Sequence, residues 1–259
     1  MHFISINQYL FFLFFFIRLF SNEFPESQYI QHQTLQVSKV ENSLSILSWN
    51  IKMHPPPYGW FYNSVDKAEN IIQTLKKANI YDVILFQEAF SSKLRTKIFN
   101  SLKDIYPNQI DMNDETIFYK MNSGLWVISS IPIKLIDNIN FTKLRHNDSF
   151  SSKGAHLYSV IKNQQEFYII NTHMQSDYKT QYSDIRISQY TEILDKLILP
   201  HENPEIPLIL CGDLNISKPS KLKLMLKNLD FVNGPLIGKI QYSSLGDNHE
   251  LLDYILVKA

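Results

Sequence analysis

Two periodicities run along this chain. Apolar runs, continuous or alternating with polar residues, read as strands, and apolar positions three and four apart read as one face of a helix. "LSILSWN" (44–50) is the first predicted strand. Val65, Ala68, Ile71, Ile72, Leu75 and Ala78 then recur at helical spacing. Asp66 stands in the first turn of that helix and Lys76 and Lys77 in the last, the order the helix dipole favours. "DVILFQE" (82–88) is a buried strand, and shorter strands follow at "TIFYK" (116–120), "GLWVISS" (124–130), "AHLYSVI" (155–161) and "EFYIINTH" (166–173). A second helix spans about 183–199, with Ser183 as its N-cap and Ile187, Tyr190, Ile193, Leu194, Leu197 and Ile198 as its apolar stripe. "PLILCGDLNI" (207–216) is a strand that runs into polar residues. A third helix covers about 219–229, and "LLDYILV" (251–257) is the last strand. Alternating strands and helices, with no repeat or linker, predict one α/β (α+β) domain whose helices cover the outer faces of sheets.

The first 22 residues break this pattern. "YLFFLFFFI" (9–17) is apolar throughout and is followed by Arg18. A membrane-spanning helix takes about 20 apolar residues, so this run fits the core of a secretory signal peptide better. No Lys or Arg precedes it, and no small-x-small cleavage site follows. A retained anchor and a hydrophobic start without a targeting role are the alternatives. Residues 1–22 are therefore set apart from a polar lead-in (23–43) and the domain proper (44–259). The expected location is secreted or within the secretory pathway, with membrane association as a variant.

Composition narrows the class. With 44% hydrophobic and 19% charged residues, the 259-residue chain can fill a large core. Lys plus Arg (25) equals Asp plus Glu (25), so no basic excess points to nucleic acid. One cysteine, Cys211, excludes a disulfide scaffold, and with scattered histidines it gives no zinc cluster. No Gly-rich phosphate loop, Gly-x-Ser-x-Gly elbow or His-Glu-x-x-His pair is present.

Four apolar strands share an ending. "SILSWN" closes on Asn50, "VILFQE" on Glu88, "FYIINTH" on His173, and "LILCGDLN" on Asp213 and Asn215. One such ending is ordinary surface, whereas four predict convergence on a cleft at the carboxyl ends of strands. Carboxylate and amide oxygens suit a hard cation such as Mg²⁺. A histidine among them is placed to stabilise charge or move a proton at a phosphoryl group.

The motifs "WNIK", "FQEAF", "NTHMQSD", "GDLNIS" and "LDYILV", in this order, resemble the endonuclease/exonuclease/phosphatase superfamily, of DNase I-like fold. The resemblance covers about residues 44–259. Within it the chain is most similar to the neutral sphingomyelinases, through "MNSGLWVISSIPI" (121–133), "DSFSSKGAHLYSV" (148–160) and "NTHMQSD" followed by "IRISQYTEI" (185–193). The resemblance implies a four-layer sandwich of two mixed β-sheets flanked by helices. It implies Mg²⁺, with Mn²⁺ or another divalent ion as a substitute, held by Glu88 with Asn50 beside it. Asp213 and Asn215 would orient the attacking water and the phosphate. His173 would stabilise developing charge or protonate the leaving group. Lys153, paired with Asp148, would meet the substrate phosphate or gate the cleft; a solvent-exposed lysine is the plain alternative. The implied reaction is in-line hydrolysis of sphingomyelin, or a related membrane phospholipid, to ceramide and phosphocholine. Neither nucleic acid nor a protein partner is implied. A nuclease or other phosphoesterase of the same fold, and a non-catalytic lipid- or phosphate-binding remnant, are the competing readings.

The sequence departs from the family's pattern at its end. The superfamily closes with a Ser-Asp-His motif whose histidine is oriented by the aspartate of the "LDYILV" strand. Asp253 is that aspartate, and no such motif follows it. The expectation is an incomplete record of a longer enzyme; the alternative is a short product that lacks the last strand and the Ser-Asp-His loop and is nearly inactive. His249 precedes the strand and is a poor replacement. His54, His146, His156 and His201 are read as surface or packing residues. The loop "HPPPYGW" (54–60) is placed at the cleft, where Tyr58, Trp60 and Phe61 would touch lipid or pack on the first helix. The sequons at Asn140 and Asn147 would carry glycans in a secreted chain, and the one at Asn215 would not.

Overall fold

A computed structural model describes residues 43–55, 58–61, 63–111, 120–178, 181–235, 242–244 and 249–258. The apolar N-terminal run, most of the lead-in and the strand expected at 116–120 lie outside the described residues.

Among the described residues, ten strands form two mixed sheets. In the first, β1 (Ile46–Asn50) pairs in parallel with β2 (Val83–Gln87), β2 pairs antiparallel with β4 (Trp126–Ser129), and β3 (Asn108–Ile110) closes the order β1-β2-β4-β3. The second has the order β5-β6-β7-β8-β10-β9. Its strands are β5 (Ile133–Asn140), β6 (Gly154–Lys162), β7 (Gln165–His173), β8 (Leu208–Asp213), β9 (Phe231–Asn233) and β10 (Asp253–Lys258). Only β7 and β8 run parallel there, with His173 opposite Asp213.

The period of two along β2 explains the layering. Val83 and Leu85 face the second sheet, packing with Val127, Tyr158, Val160, Ile169, Ile209 and Cys211. Ile84 and Phe86 face the other way, onto the helices α2 (Ser64–Ala78) and α3 (Ser92–Leu102). On the far side, α4 (Ser183–Ile193) and α5 (Pro219–Leu229) cover Leu157, Ile170, Leu210 and Leu256 of the second sheet. Helix, sheet, sheet and helix thus stack as the four layers expected. A further short helix, α1 (Tyr58–Phe61), precedes α2. Among the described residues, no helix is long and apolar enough to cross a membrane.

Several details differ from the sequence reading. Helix α3 was not anticipated, because its buried face carries only Leu94, Ile98 and Leu102 as apolar residues, with Arg95 as the fourth buried member. Arg95 is satisfied by Asp111 at 2.7 Å and the Ala89 carbonyl at 2.6 Å. Strands β3, β5 and β9 were also missed. β5 carries a bulge between Leu135 and Asp137 that breaks its alternation. Ser183 is the first helical residue rather than the N-cap, and Tyr182 in the cap position makes no side-chain cap bond. A π turn (Leu194–Ile198) continues α4 to His201, past Pro200.

Candidate functional site

The carboxyl ends of β1 and β2 lie side by side, as do those of β7 and β8. Asn50 joins the two pairs: its Nδ2 donates to Glu88 Oε1 at 2.8 Å and to Asp213 Oδ2 at 2.9 Å. Three of these strands, β1, β2 and β8, turn abruptly just past their ends. Lys52, Glu88 and Asn215 take left-handed backbone angles (φ 46°, 53° and 52°), conformations that cost a side-chain-bearing residue of order 1 kcal/mol and concentrate at functional sites. Gly124 makes room for Glu88: a Cβ there would lie 3.1 Å from the Glu88 Cα and 2.7 Å from the Phe90 ring.

Asn50, Glu88, Asp148, Lys153, His173, Asp213 and Asn215 form one connected arrangement, with Asp253 beside it. Lys153 Nζ donates to His173 Nε2 and pairs with Asp148, both at 2.9 Å, and also donates to the Met174 carbonyl at 3.1 Å. Lys153 is 2% exposed, which overturns the solvent-exposed alternative. Asp148 also accepts from the Ser176 backbone N–H (2.7 Å) and the Tyr178 hydroxyl (2.9 Å). His173 Nε2 stands 3.6 Å from Asp213 Oδ2. Asn215 donates from Nδ2 to the Met174 carbonyl and from its backbone N–H to Asp213 Oδ1, both at 3.0 Å. Asp253 opposes Asp213 across the β8–β10 ladder. Its Oδ1 is buried with no hydrogen-bond partner among the described residues.

Three residues at the site were not singled out. His54, read as ordinary, places Nε2 3.2 Å from Glu88 Oε2. Gln87 and Asn171 are fully buried and bridge the two sheets beneath the site, Gln87 Nε2 donating to Asn171 Oδ1 at 2.7 Å. Their signal was legible: each is an uncharged polar residue in the buried phase of an apolar strand, next to or two before a strand-end residue. Of the other histidines read as ordinary, His156 and His201 lie away from these contacts, whereas His146 stacks on a tyrosine that reaches Asp148. His156 contacts the Tyr158 hydroxyl, His201 pairs with Asp137, and His146 stacks on Tyr178.

The electrostatics follow from burial and neighbours. Burial opposes ionisation of Glu88, but the His54 hydrogen bond, His173, Asn50 and Lys153 outweigh it and hold the carboxyl well below the usual range. Burial, and then the Lys153 ammonium, push His173 down to about 3, so its imidazole is neutral at physiological pH. Burial, and then the facing Asp253, push Asp213 up to about 7. Asp253 is raised too, chiefly by burial, with the Ser243 hydroxyl opposing.

The donor set fits a hard divalent cation. An Asn50 N–H stands between the Glu88 and Asp213 carboxylates, where positive charge is wanted. Among the described residues no three His, Cys, Asp or Glu groups gather to cage a metal.

The Endonuclease/Exonuclease/phosphatase family matches residues 47–259. The chain belongs to that family. Sphingomyelinase C of Leptospira interrogans is 29% identical over 217 residues, covering 74% of this chain and 38% of that protein. Sphingomyelinase C of Bacillus cereus is 27% identical over 158 residues, covering 53% of this chain and 46% of that protein. The chain thus spans less than half the length of either relative. The crystal structure of a beta toxin variant from Staphylococcus aureus with bound magnesium ions superposes with a TM-score of 0.70 at 24% identity, covering 83% of each chain. The two flanked mixed sheets are the DNase I-like architecture of these neighbours, and among members of the superfamily the chain is most like the sphingomyelinases.

Proposed function

We propose that this chain is the catalytic domain of a Mg²⁺-dependent phosphodiesterase that hydrolyses sphingomyelin to ceramide and phosphocholine. The observation that carries the reading is the Asn50 bridge, which joins the strand ends of both sheets around two carboxylates, with Lys153 and His173 alongside. The sphingomyelinase relatives supply the substrate class.

Glu88 and Asn50 would hold the cation, which would supply neutralising charge to the phosphoryl group. Asp213, its carboxyl pushed up to about 7, is matched to take a proton from an attacking water that Asn215 helps position, and to return it to the ceramide oxygen as the phosphorus–oxygen bond to ceramide breaks. His173 has no proton to give as an imidazolium, so its role in this reading is to hold Lys153, whose ammonium stabilises the charge growing on the phosphate. Asp148 and Tyr178 fix that ammonium from behind. Trp60, 71% exposed on the neighbouring loop, offers an apolar contact to a lipid surface. Secretion, through the N-terminal run, belongs to the same reading.

The test is a substrate panel: sphingomyelin vesicles, phosphatidylcholine vesicles and DNA, each with Mg²⁺ and with chelator. The expected result is Mg²⁺-dependent release of phosphocholine from sphingomyelin, lost in Glu88→Ala. Cleavage of DNA alone would replace this reading with a nuclease. Mg²⁺ or phosphocholine binding without turnover on any substrate would make the chain a binding protein.

A further inference from the structure

We propose that His54 is the positioning residue for the metal ligand Glu88: it holds the second carboxylate oxygen so that the first is presented to the cation beside Asn50. The inference rests on the metal reading above and adds a residue outside the motif segments quoted from this sequence.

Four features fix His54 in place. Its backbone neighbour Met53 is pinned twice, its N–H donating to the Glu88 carbonyl at 2.9 Å and its carbonyl accepting from the Ser91 N–H at 3.2 Å. The imidazole stacks on Phe90 with ring centroids 5.2 Å apart. Phe90 is set in turn by the absent side chain at Gly124, where a Cβ would lie 2.7 Å from the ring. Beyond His54 the chain turns back so tightly that a Cβ at Gly59 would come within 2.3 Å of the His54 carbonyl oxygen.

Held so, Nε2 donates to Glu88 Oε2 at 3.2 Å, while Asn50 Nδ2 reaches Oε1 at 2.8 Å. Glu88 stands on a left-handed backbone (φ 53°), and these two donors each hold one of its carboxylate oxygens. Ligating carboxylates commonly need an outer partner of this kind, and losing one costs roughly 10–100-fold in metal affinity.

The experiment is Mn²⁺ binding to the full chain, read by the loss of the free-ion electron paramagnetic resonance signal, with Mg²⁺ as competitor. The variants are Glu88→Gln, His54→Phe, which keeps the stack and loses the donor, and His54→Gln, which keeps a donor. His54→Leu serves if Phe disturbs the loop, as judged by the metal-free melting temperature. The expected result is binding weakened about 10–100-fold by His54→Phe, near-normal binding in His54→Gln, and unchanged metal-free melting. Equal binding by wild type and His54→Phe, with loss in Glu88→Gln, overturns this inference alone. Loss in both His54 variants makes the imidazole a direct ligand and overturns the positioning role. No binding by wild type, or undiminished binding by Glu88→Gln, overturns the metal reading and this inference with it.

Discussion

At the scale of single residues, the buried charges decide the chemistry and the stability together. Lys153 neutralises Asp148, and both side chains are buried. Lys153→Met leaves that carboxylate without its cation, which typically costs about 3–5 kcal/mol. Urea unfolding of Lys153→Met is expected to show that loss. The double variant Asp148→Asn/Lys153→Met is expected to regain most of the stability while staying inactive. Recovery of activity in the double variant would remove Lys153 from the chemistry.

Asp213 and Asp253 form a second coupled pair. An unfolded aspartate loses its proton near pH 4, about the model-peptide value, whereas the folded pair keeps one up to about 7. The folded state therefore binds more protons over this window, and the pair's contribution to stability is full below about pH 4 and falls as pH rises towards 7. Asp253→Asn is expected to flatten that fall in the metal-free protein and to raise stability at pH 8, measured by urea unfolding across pH. An unchanged slope would mean that the pair is not coupled.

At the scale of elements, strand ends carry the site, and the ladder between β7 and β8 sets their register. Gly212 sits in that ladder at φ +139°, and a Cβ there would lie 1.9 Å from the Thr172 carbonyl oxygen. Gly212→Ala is expected to destabilise by about 3 kcal/mol or more, the range of backbone strain combined with core overpacking, and to displace Asp213 one residue on. Thermal unfolding measures the first effect and Mn²⁺ binding the second.

The same scale shows what could be read in advance. The strands that hold the site were legible because β2 and β8 are fully buried and β7 is buried over its last five residues, so their apolar runs are continuous and the polar residue at each end stands out. Asn50, Glu88, His173, Asp213 and Asn215 were found in this way. Helix α3 was hidden because a salt-bridged arginine fills a core position, and β5 because a bulge interrupts its alternation. His54 was hidden for a different reason: it lies in a proline-rich loop, where no periodicity exists, and only the backbone bonds of Met53 bring it to Glu88.

At the scale of the molecule, two sheets pressed face to face bring residues up to 163 positions apart, Asn50 and Asp213, into one hydrogen bond. Leu85, fully buried between the sheets, belongs to the layer that fixes this spacing. Leu85→Ala is expected to cost about 2–5 kcal/mol. The central claim is that these strand ends work as one hydrolytic centre. The most direct test is the rate of Mg²⁺-dependent phosphocholine release from sphingomyelin vesicles by wild type, Glu88→Ala, Asp213→Asn and the double variant. Groups that act as a unit lose about as much singly as together. The account predicts that each single variant falls at least about 100-fold, the scale of losing one acid–base or electrostatic group, and that the double falls little further. Wild-type rates in either single variant, or losses that simply multiply in the double, would contradict it.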